Sequence, residues 1–316
     1  MKKARIVVIC GPTACGKTAI AVELAKLLDG EVISADSMQI YKFMDIGTAK
    51  PCPDQLCGIP HHLIDEINPD EAYNAAIFKN RAASLILDII NRNKIPIICG
   101  GTGFYINALL FDADFTQVQD SDPIFRANLE KIVQVHGAKH LHESLERIDP
   151  NAALSININN VKRVIRALEY HHLHGRPISS HNLEQRQKHS KPAYDAAVFV
   201  LNADRAQLYK RINRRVDKMA EEGLVDEVAA LLKMGYSQNL VSMQGLGYKE
   251  IVKYLEGECT IQAALDAVKQ GTRRFAKRQI TWFKHQLPGG IWLNVDEYPG
   301  NFELASEIKI NFAERG

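Results

Sequence analysis

Short, wholly apolar runs, separated by glycine-rich turns and by stretches with apolar residues at every third or fourth position, divide this chain into alternating strands and helices. Residues 4–10 (ARIVVIC) are apolar and β-branched, the signature of a strand buried on both faces inside a parallel sheet. Residues 17–28 follow with a helical period. Runs at 31–36 (EVISAD), 95–99 (IPIIC), 196–201 (AAVFVL) and 291–295 (IWLNV) predict further strands, the last of them closing the chain. Between them, Ala82, Leu85, Ile86, Ile89 and Ile90 share one helix face within residues 78–91, and residues 42–63 read as a long irregular loop. From 112 to 193 no buried strand is legible; Asp122-Pro123 opens one amphipathic helix there and 160–174 forms another. The pattern predicts an α/β fold. A parallel sheet flanked by helices occupies residues 1–112 and 197–316, with an all-helical insertion over 113–196.

One turn in this pattern carries chemistry. Gly11, Pro12, Thr13, Ala14, Cys15, Gly16, Lys17 and Thr18 have the spacing of a P-loop, Gly-x4-Gly-Lys-Thr, lying between the first strand and the first helix. In such a loop backbone amides wrap phosphate oxygens, the lysine reaches terminal phosphates and the hydroxyl ligates magnesium, here through Thr18. The core is therefore expected to be P-loop NTPase-like, and nucleotide (ATP) binding is one use of such a loop. The second strand ends at Asp36, followed by Ser37, Met38 and Gln39. In open parallel sheets the carboxyl ends of strands line the ligand crevice, which sets Asp36 near the phosphates. A third strand opens into Gly100-Gly101-Thr102-Gly103, where a backbone can approach a ligand closely and Thr102 offers a hydroxyl. Leu85-Ile86-Leu87-Asp88 imitates a Walker B strand, but the helical period accounts for it better.

Composition narrows the picture. A formal net charge of +2 over 316 residues is too small to announce a polyanionic partner, so any basic surface must be local. Six cysteines without paired spacing suit reduced thiols in a cytoplasmic protein, and Cys52 and Cys57 lack the geometry of a zinc knuckle. The histidine groups 136/140/142 and 171/172/174 lack an HExxH arrangement. No run approaches a membrane span, and the apolar start reads as a strand and not a targeting segment.

The local basic surface is at the far end of the chain. A basic helix after Asp204-Arg205 carries Arg211, Arg214, Arg215 and Lys218. After the turn SMQGLGYKE at 242–250, a helix is expected to run to Lys284. From Ala267 through Val295 there is no acidic residue, while Lys269, Arg273, Arg274, Lys277, Arg278 and Lys284 are basic and interleaved with Phe275, Trp282 and Phe283. A cationic helix with aromatics is the electrostatic footprint of a nucleic-acid binder.

GPTACGKT, DSMQIYKFMDIGTAKP (36–51), HHLID (61–65), GGTGFYI (100–106), KRVIRALE (162–169) and TRRFAKRQITWF (272–283) together resemble the tRNA dimethylallyltransferases, also called tRNA isopentenylpyrophosphate transferases. Cys15 departs from the serine common at that loop position. The chain also ends without the zinc-finger extension of eukaryotic relatives, so it resembles the bacterial type. The resemblance implies transfer of a prenyl group from dimethylallyl pyrophosphate to the exocyclic amine of the adenosine on the 3′ side of the anticodon, with magnesium as cofactor. It assigns Asp36 as general base, with Thr102, Lys17, Arg163 and Arg211 also catalytic. It assigns contact with the tRNA anticodon stem-loop to residues 36–39, Gly103, Arg126, Lys162, Arg163, Val164, Ile165, Arg166, Gln244, Gly245, Leu246, Gly247, Tyr248, Lys249, Arg274, Lys277 and Arg278. A cytoplasmic monomer with no membrane partner is the expectation. Two other readings stay open on the residues alone: a P-loop nucleotide or small-molecule kinase, and an RNA-binding ATPase.

Overall fold

Five of the six residues of β1 (Arg5–Cys10) are buried. The computed structural model, which describes residues 3–112, 122–188, 192–287 and 289–314, sets this strand inside a six-stranded sheet. β1 leads through the glycine loop into α1 (Lys17–Leu28), and β2 (Gly30–Ser34) follows. A long connection then holds a four-residue helix, α2 (Pro53–Leu56), and a two-residue strand, β3 (His61–His62). Next come α3 (Ala75–Asn91), β4 (Ile95–Gly100) and α4 (Gly103–Leu110). The helices α5 (Pro123–Ile148), α6 (Pro150–Ser155), α7 (Val161–His174) and α8 (Ile178–Lys188) follow in sequence, α5 being broken at Gly137. The chain continues with β5 (Asp195–Asn202), α9 (Arg205–Glu221), α10 (Leu224–Lys233), α11 (Tyr248–Leu255), α12 (Ile261–Gln286), β6 (Ile291–Asn294) and α13 (Asn301–Glu314).

The strand order is β3-β2-β4-β1-β5-β6, and every pairing is parallel. All strands therefore point their carboxyl ends to one edge, the edge at which ligands bind in open α/β sheets. Val7 and Ile9 of β1 and Phe199 and Leu201 of β5 pack in one cluster with Ile20 and Leu24 of α1 and with Leu304, Ile308 and Phe312 of α13. Two compact units result, residues 1–110 with 193–316, and residues 111–192. The second has a core of its own, built from Leu129, Leu141, Leu145, Val164, Ile165 and Leu168. Residues 113–121, where the insertion was expected to begin, lie outside the described residues.

Three features differ from the expected pattern. His61 and His62 sit inside the stretch read as irregular loop but pair with Val32 and Ile33 as an edge strand, too short for any alternation to reveal. The helix expected to run unbroken to Lys284 is two helices, because Gly257 takes a left-handed turn (φ 79°) and Thr260 caps the next helix by accepting from the Ala263 N–H. β6 does not close the chain: α13 follows and packs on α1. Asp88 lies within α3, held by Arg92 one turn later, so the Walker B likeness is helical.

At the opposite, amino end of the sheet, Glu31 is buried among cations. Arg92 grips both its oxygens, His62 Nε2 lies 2.9 Å from Oε2 and Lys94 Nζ 3.4 Å from Oε1. The Arg92 hydrogen bonds, assisted by His62 and Lys94, outweigh burial and hold the carboxyl down at about 2. A carboxyl depressed on folding stabilises the native state above its ordinary value of 4.5 and loses that contribution as pH falls towards 2. Glu31→Gln is expected to cost about 1–3 kcal/mol in urea unfolding at neutral pH. The same substitution should flatten the acid limb of the stability curve; an unaltered limb would contradict this account.

Candidate active site

The phosphate loop is shaped by two glycines. A Cβ on Gly11 would stand 2.4 Å from the Leu201 carbonyl oxygen, and Gly16 takes a left-handed φ of 76° to release the chain into α1. Lys17 Nζ donates to the Pro12 carbonyl oxygen at 2.8 Å, bending back across the loop. Thr18 stands in the first turn of α1, and its hydroxyl makes no protein hydrogen bond among the described residues. The loop amides and the helix dipole make the start of α1 a place for concentrated negative charge.

Asp36 follows β2 at the same edge. Its Oδ1 accepts from the N–H groups of Met38 (2.8 Å) and Gln39 (3.3 Å), while Oδ2 has no hydrogen bond among the described residues. The carboxylate is thus fixed by one oxygen and available by the other. Thr102 is joined to this turn: its N–H donates to the Ala35 carbonyl oxygen at 3.1 Å, and its Oγ1 accepts from the Ser37 N–H at 3.1 Å. Gly103 opens α4, and a Cβ there would meet the Trp282 ring at 2.2 Å, so the glycine lets α12 lie against this corner.

Two residues with no assigned role complete the corner. Arg215 donates from Nη1 to Thr13 Oγ1 and from Nη2 to the Thr48 carbonyl oxygen, each at 3.4 Å. Gln279, buried on α12, accepts from the Thr13 N–H and donates to the Gly101 carbonyl oxygen, both at 2.9 Å. It ties the phosphate loop to the glycine turn. Burial pushes the Lys17 ammonium and the Arg215 guanidinium below their ordinary pKa values, and the Asp36 charge pulls both back up. Neither cation has an ion-pair partner among the described residues. Two desolvated cations beside one carboxylate make a net positive pocket suited to a multiply charged anion. Arg211, one turn before Arg215, is half exposed and paired with Asp296, so its guanidinium is committed to that acid. Burial pushes the Cys15 thiol up to about 11, which leaves it a neutral, inert member of the loop.

The remaining candidates fall into three groups. On α12, Lys269 is 2.5 Å from Asp217 and Arg273 donates to Asn213 at 2.6 Å, so these two face α9. Arg274, Lys277 and Arg278 are exposed and without an ion pair among the described residues, with Arg278 5.8 Å above the Phe275 ring. In the turn before α11, Gly245 lies against Met38, where a Cβ would meet Cε at 2.6 Å, so this turn and residues 36–39 come together. Gln244 is exposed and Leu246, Gly247 and Lys249 fill out the turn. Tyr248, however, is wholly buried with its hydroxyl on Glu227, which removes its side chain from any RNA surface. In the helical unit Lys162 and Arg163 are exposed, but Val164 and Ile165 are core residues and likewise cannot offer their side chains to RNA. Arg126 forms a two-pronged pair with buried Glu169, and Arg166 holds the same carboxylate at 2.8 Å. No group of three or more His, Cys, Asp or Glu suited to a metal occurs among the described residues. Among them also, no helix is long and apolar enough to cross a membrane.

Comparison with known proteins finds relatives along nearly the whole chain. The family model described as IPP transferase matches residues 39–286. The tRNA dimethylallyltransferase of Lachnoclostridium phytofermentans is 52% identical over 303 residues, 96% of each chain. That of Acetivibrio thermocellus is 47% identical over 98% of each chain. Among solved structures, the full-length tRNA isopentenylpyrophosphate transferase of Bacillus halodurans superposes with a TM-score of 0.72 at 41% identity, covering 99% of this chain and 98% of its own. A eukaryotic dimethylallyltransferase caught acting on tRNA gives 0.80 at 27% identity, covering 99% of this chain and 80% of its own. With a phosphate loop, the Asp36 turn and the glycine turn in one corner, and with relatives matched over nearly its whole length, the chain belongs to the IPP transferase family, that of the tRNA dimethylallyltransferases.

Proposed function

We propose that this protein transfers the dimethylallyl group of dimethylallyl pyrophosphate to the exocyclic amine of the adenosine 3′ to the anticodon in tRNA. The observation that carries the reading is the free Oδ2 of Asp36 beside a phosphate loop with two desolvated cations. A bond forms between the adenine N6 and the allylic C1, the C1–O bond breaks, and pyrophosphate departs with the electron pair. The N6 proton passes to Asp36 Oδ2. An adenine amine is a weak nucleophile because its lone pair is delocalised into the ring, so removal of its proton during attack assists the step. Lys17, Arg215 and the loop amides meet the charge that develops on the leaving group. Thr102 holds the Asp36 turn and presents its hydroxyl beside it.

The Thr18 hydroxyl, in the first turn of α1 and without a protein hydrogen bond among the described residues, fits a magnesium ion, a hard cation usually held by one or two protein oxygens together with phosphate and water. When bound there, magnesium would neutralise charge on the pyrophosphate. Arg274, Lys277 and Arg278 form the RNA-facing surface of α12, and Lys162 and Arg163 that of α7. The target base is drawn out of its stack at a cost of a few kcal/mol, offset by such phosphate contacts.

Incubation with unmodified tRNA and dimethylallyl pyrophosphate tests the reading, with product adenosine analysed by mass spectrometry. Prenylated adenosine is the expected result. ADP formed from ATP, with no prenylated product, would favour the kinase or ATPase alternative instead. Arg278→Glu is expected to weaken tRNA binding by about tenfold or more at low salt, with a smaller salt slope, and to spare prenyl-donor binding. An unchanged RNA affinity would mean that α12 does not face RNA.

A further inference from the structure

Glu227 on α10 lies outside every motif that pointed to the site, yet its carboxylate accepts four hydrogen bonds. Oε2 accepts from the N–H groups of Asp45 (2.8 Å) and Ile46 (2.7 Å), and Oε1 from the Gly47 N–H (3.0 Å) and the Tyr248 hydroxyl (2.7 Å). The segment so gripped is a turn, closed by the Ala49 and Lys50 N–H groups on the Ile46 and Asp45 carbonyl oxygens at 2.9 Å each, but its three leading N–H groups are held by Glu227. Phe43 and Ala49, at its two ends, stand in the left-handed region (φ 65° and 48°), which disfavours residues with a Cβ. The carbonyls of the same segment face the active corner: Thr48 O accepts from Gln39 Nε2 (3.3 Å) and Arg215 Nη2 (3.4 Å), and Ala49 O from Gln39 Nε2 (3.2 Å).

We propose that Glu227, with Tyr248, is a positioning residue for prenyl transfer: it fixes residues 45–49 so that their carbonyls set Gln39 and Arg215 beside Asp36. This rests on the function proposed above. Gln39 is one of the two residues, with Met38, whose N–H groups hold Asp36 Oδ1, and Arg215 is the cation whose other guanidinium nitrogen reaches Thr13 of the phosphate loop. A shift of the segment would therefore reach both the base and the leaving-group pocket without any direct contact from Glu227. Four donors converge on one group, so only an acceptor-only side chain satisfies them all; a glutamine amide would point N–H at N–H. Lys50, bonded to the Tyr41 carbonyl oxygen at 2.8 Å, to Asp65 at 2.7 Å and to the Asp45 carboxylate, keeps the segment attached to its surroundings when the grip of Glu227 is loosened. Gly47 supplies a second handle. A Cβ there would lie 2.6 Å from the Tyr248 ring, so Gly47→Ala displaces the segment while leaving Glu227 intact.

The test measures kcat, KM for tRNA and for dimethylallyl pyrophosphate, pyrophosphate affinity and thermal stability for Glu227→Gln, Tyr248→Phe and Gly47→Ala. Glu227→Gln and Gly47→Ala are expected to lower kcat by about 10- to 100-fold and to raise KM for tRNA. Pyrophosphate affinity should fall by less than kcat does, since Arg215 alone of the leaving-group contacts is displaced while Lys17 and the loop amides are untouched. Tyr248→Phe removes one donor of four and is expected to lower kcat by less than about tenfold. Wild-type kcat in folded variants would overturn the positioning role, and so would a loss of kcat matched by an equal loss of folded protein at the assay temperature. If the wild-type protein itself makes no prenylated adenosine, the proposed function fails and the positioning role falls with it; active wild type with unaffected variants removes the positioning role alone.

Discussion

Asp36→Asn is expected to lower the single-turnover rate of prenyl transfer by about 10²-fold or more while leaving tRNA affinity within about twofold. The substitution changes little else. Asparagine keeps a carbonyl oxygen where Oδ1 accepts from Met38 and Gln39, so the turn after β2 survives. What it loses is the second oxygen, which becomes an amide nitrogen that donates and cannot take a proton from the adenine amine. Rapid quench with saturating tRNA isolates this step from product release. A wild-type rate in the variant would take the role of base away from Asp36 and assign it to solvent or to the departing pyrophosphate.

Lys17→Met should have a comparable effect by a different route, lowering kcat/KM for dimethylallyl pyrophosphate by on the order of 10²- to 10³-fold. Lys17 is bent back onto the Pro12 carbonyl oxygen and is held below its ordinary pKa chiefly by burial, with Arg215 adding to the effect. An arriving polyanion relieves both penalties, and more so as charge accumulates on the oxygen that leaves. Methionine fills the same space without the charge, so the loop keeps its path. Titration with pyrophosphate and a parallel RNA-binding measurement separate the two substrates: donor affinity should fall and RNA affinity should not. Equal losses in both would indicate a collapsed loop.

The parts of this protein that local pattern alone determines were legible. β1, the loop from Gly11 to Thr18 and α1 follow from an apolar run, two glycines and a helical period, and the membership of the IPP transferase family from motifs spread along the chain. What escaped was set by tertiary packing. Arg211 and Arg215 are one turn apart and equally basic, and only the packing of α9 decides that Asp296 takes one and the phosphate loop the other. Gln279 sits among cations in the sequence, but its face of α12 turns inward to Thr13 and Gly101. Tyr248 lies in a turn otherwise suited to a surface and is buried because Glu227, from another helix, accepts its hydroxyl. α13 carries a signal in Leu304, Ile308 and Phe312 at intervals of four, blurred by Phe302 and Ile310, which are apolar but exposed.

The sheet order also governs when the protein can fold during synthesis. β1 lies between β4 and β5, and its register partner for Arg5 is Asp195, 190 residues further along. β1, made long before β5, must wait with an open edge until the chain beyond the insertion has been made. The intervening helices, having a core of their own, need not wait. Nascent chains from which the helical unit has emerged but β5 has not would therefore carry a folded insertion beside an exposed, apolar β1 edge, and that is the stage at which this polypeptide most needs a chaperone.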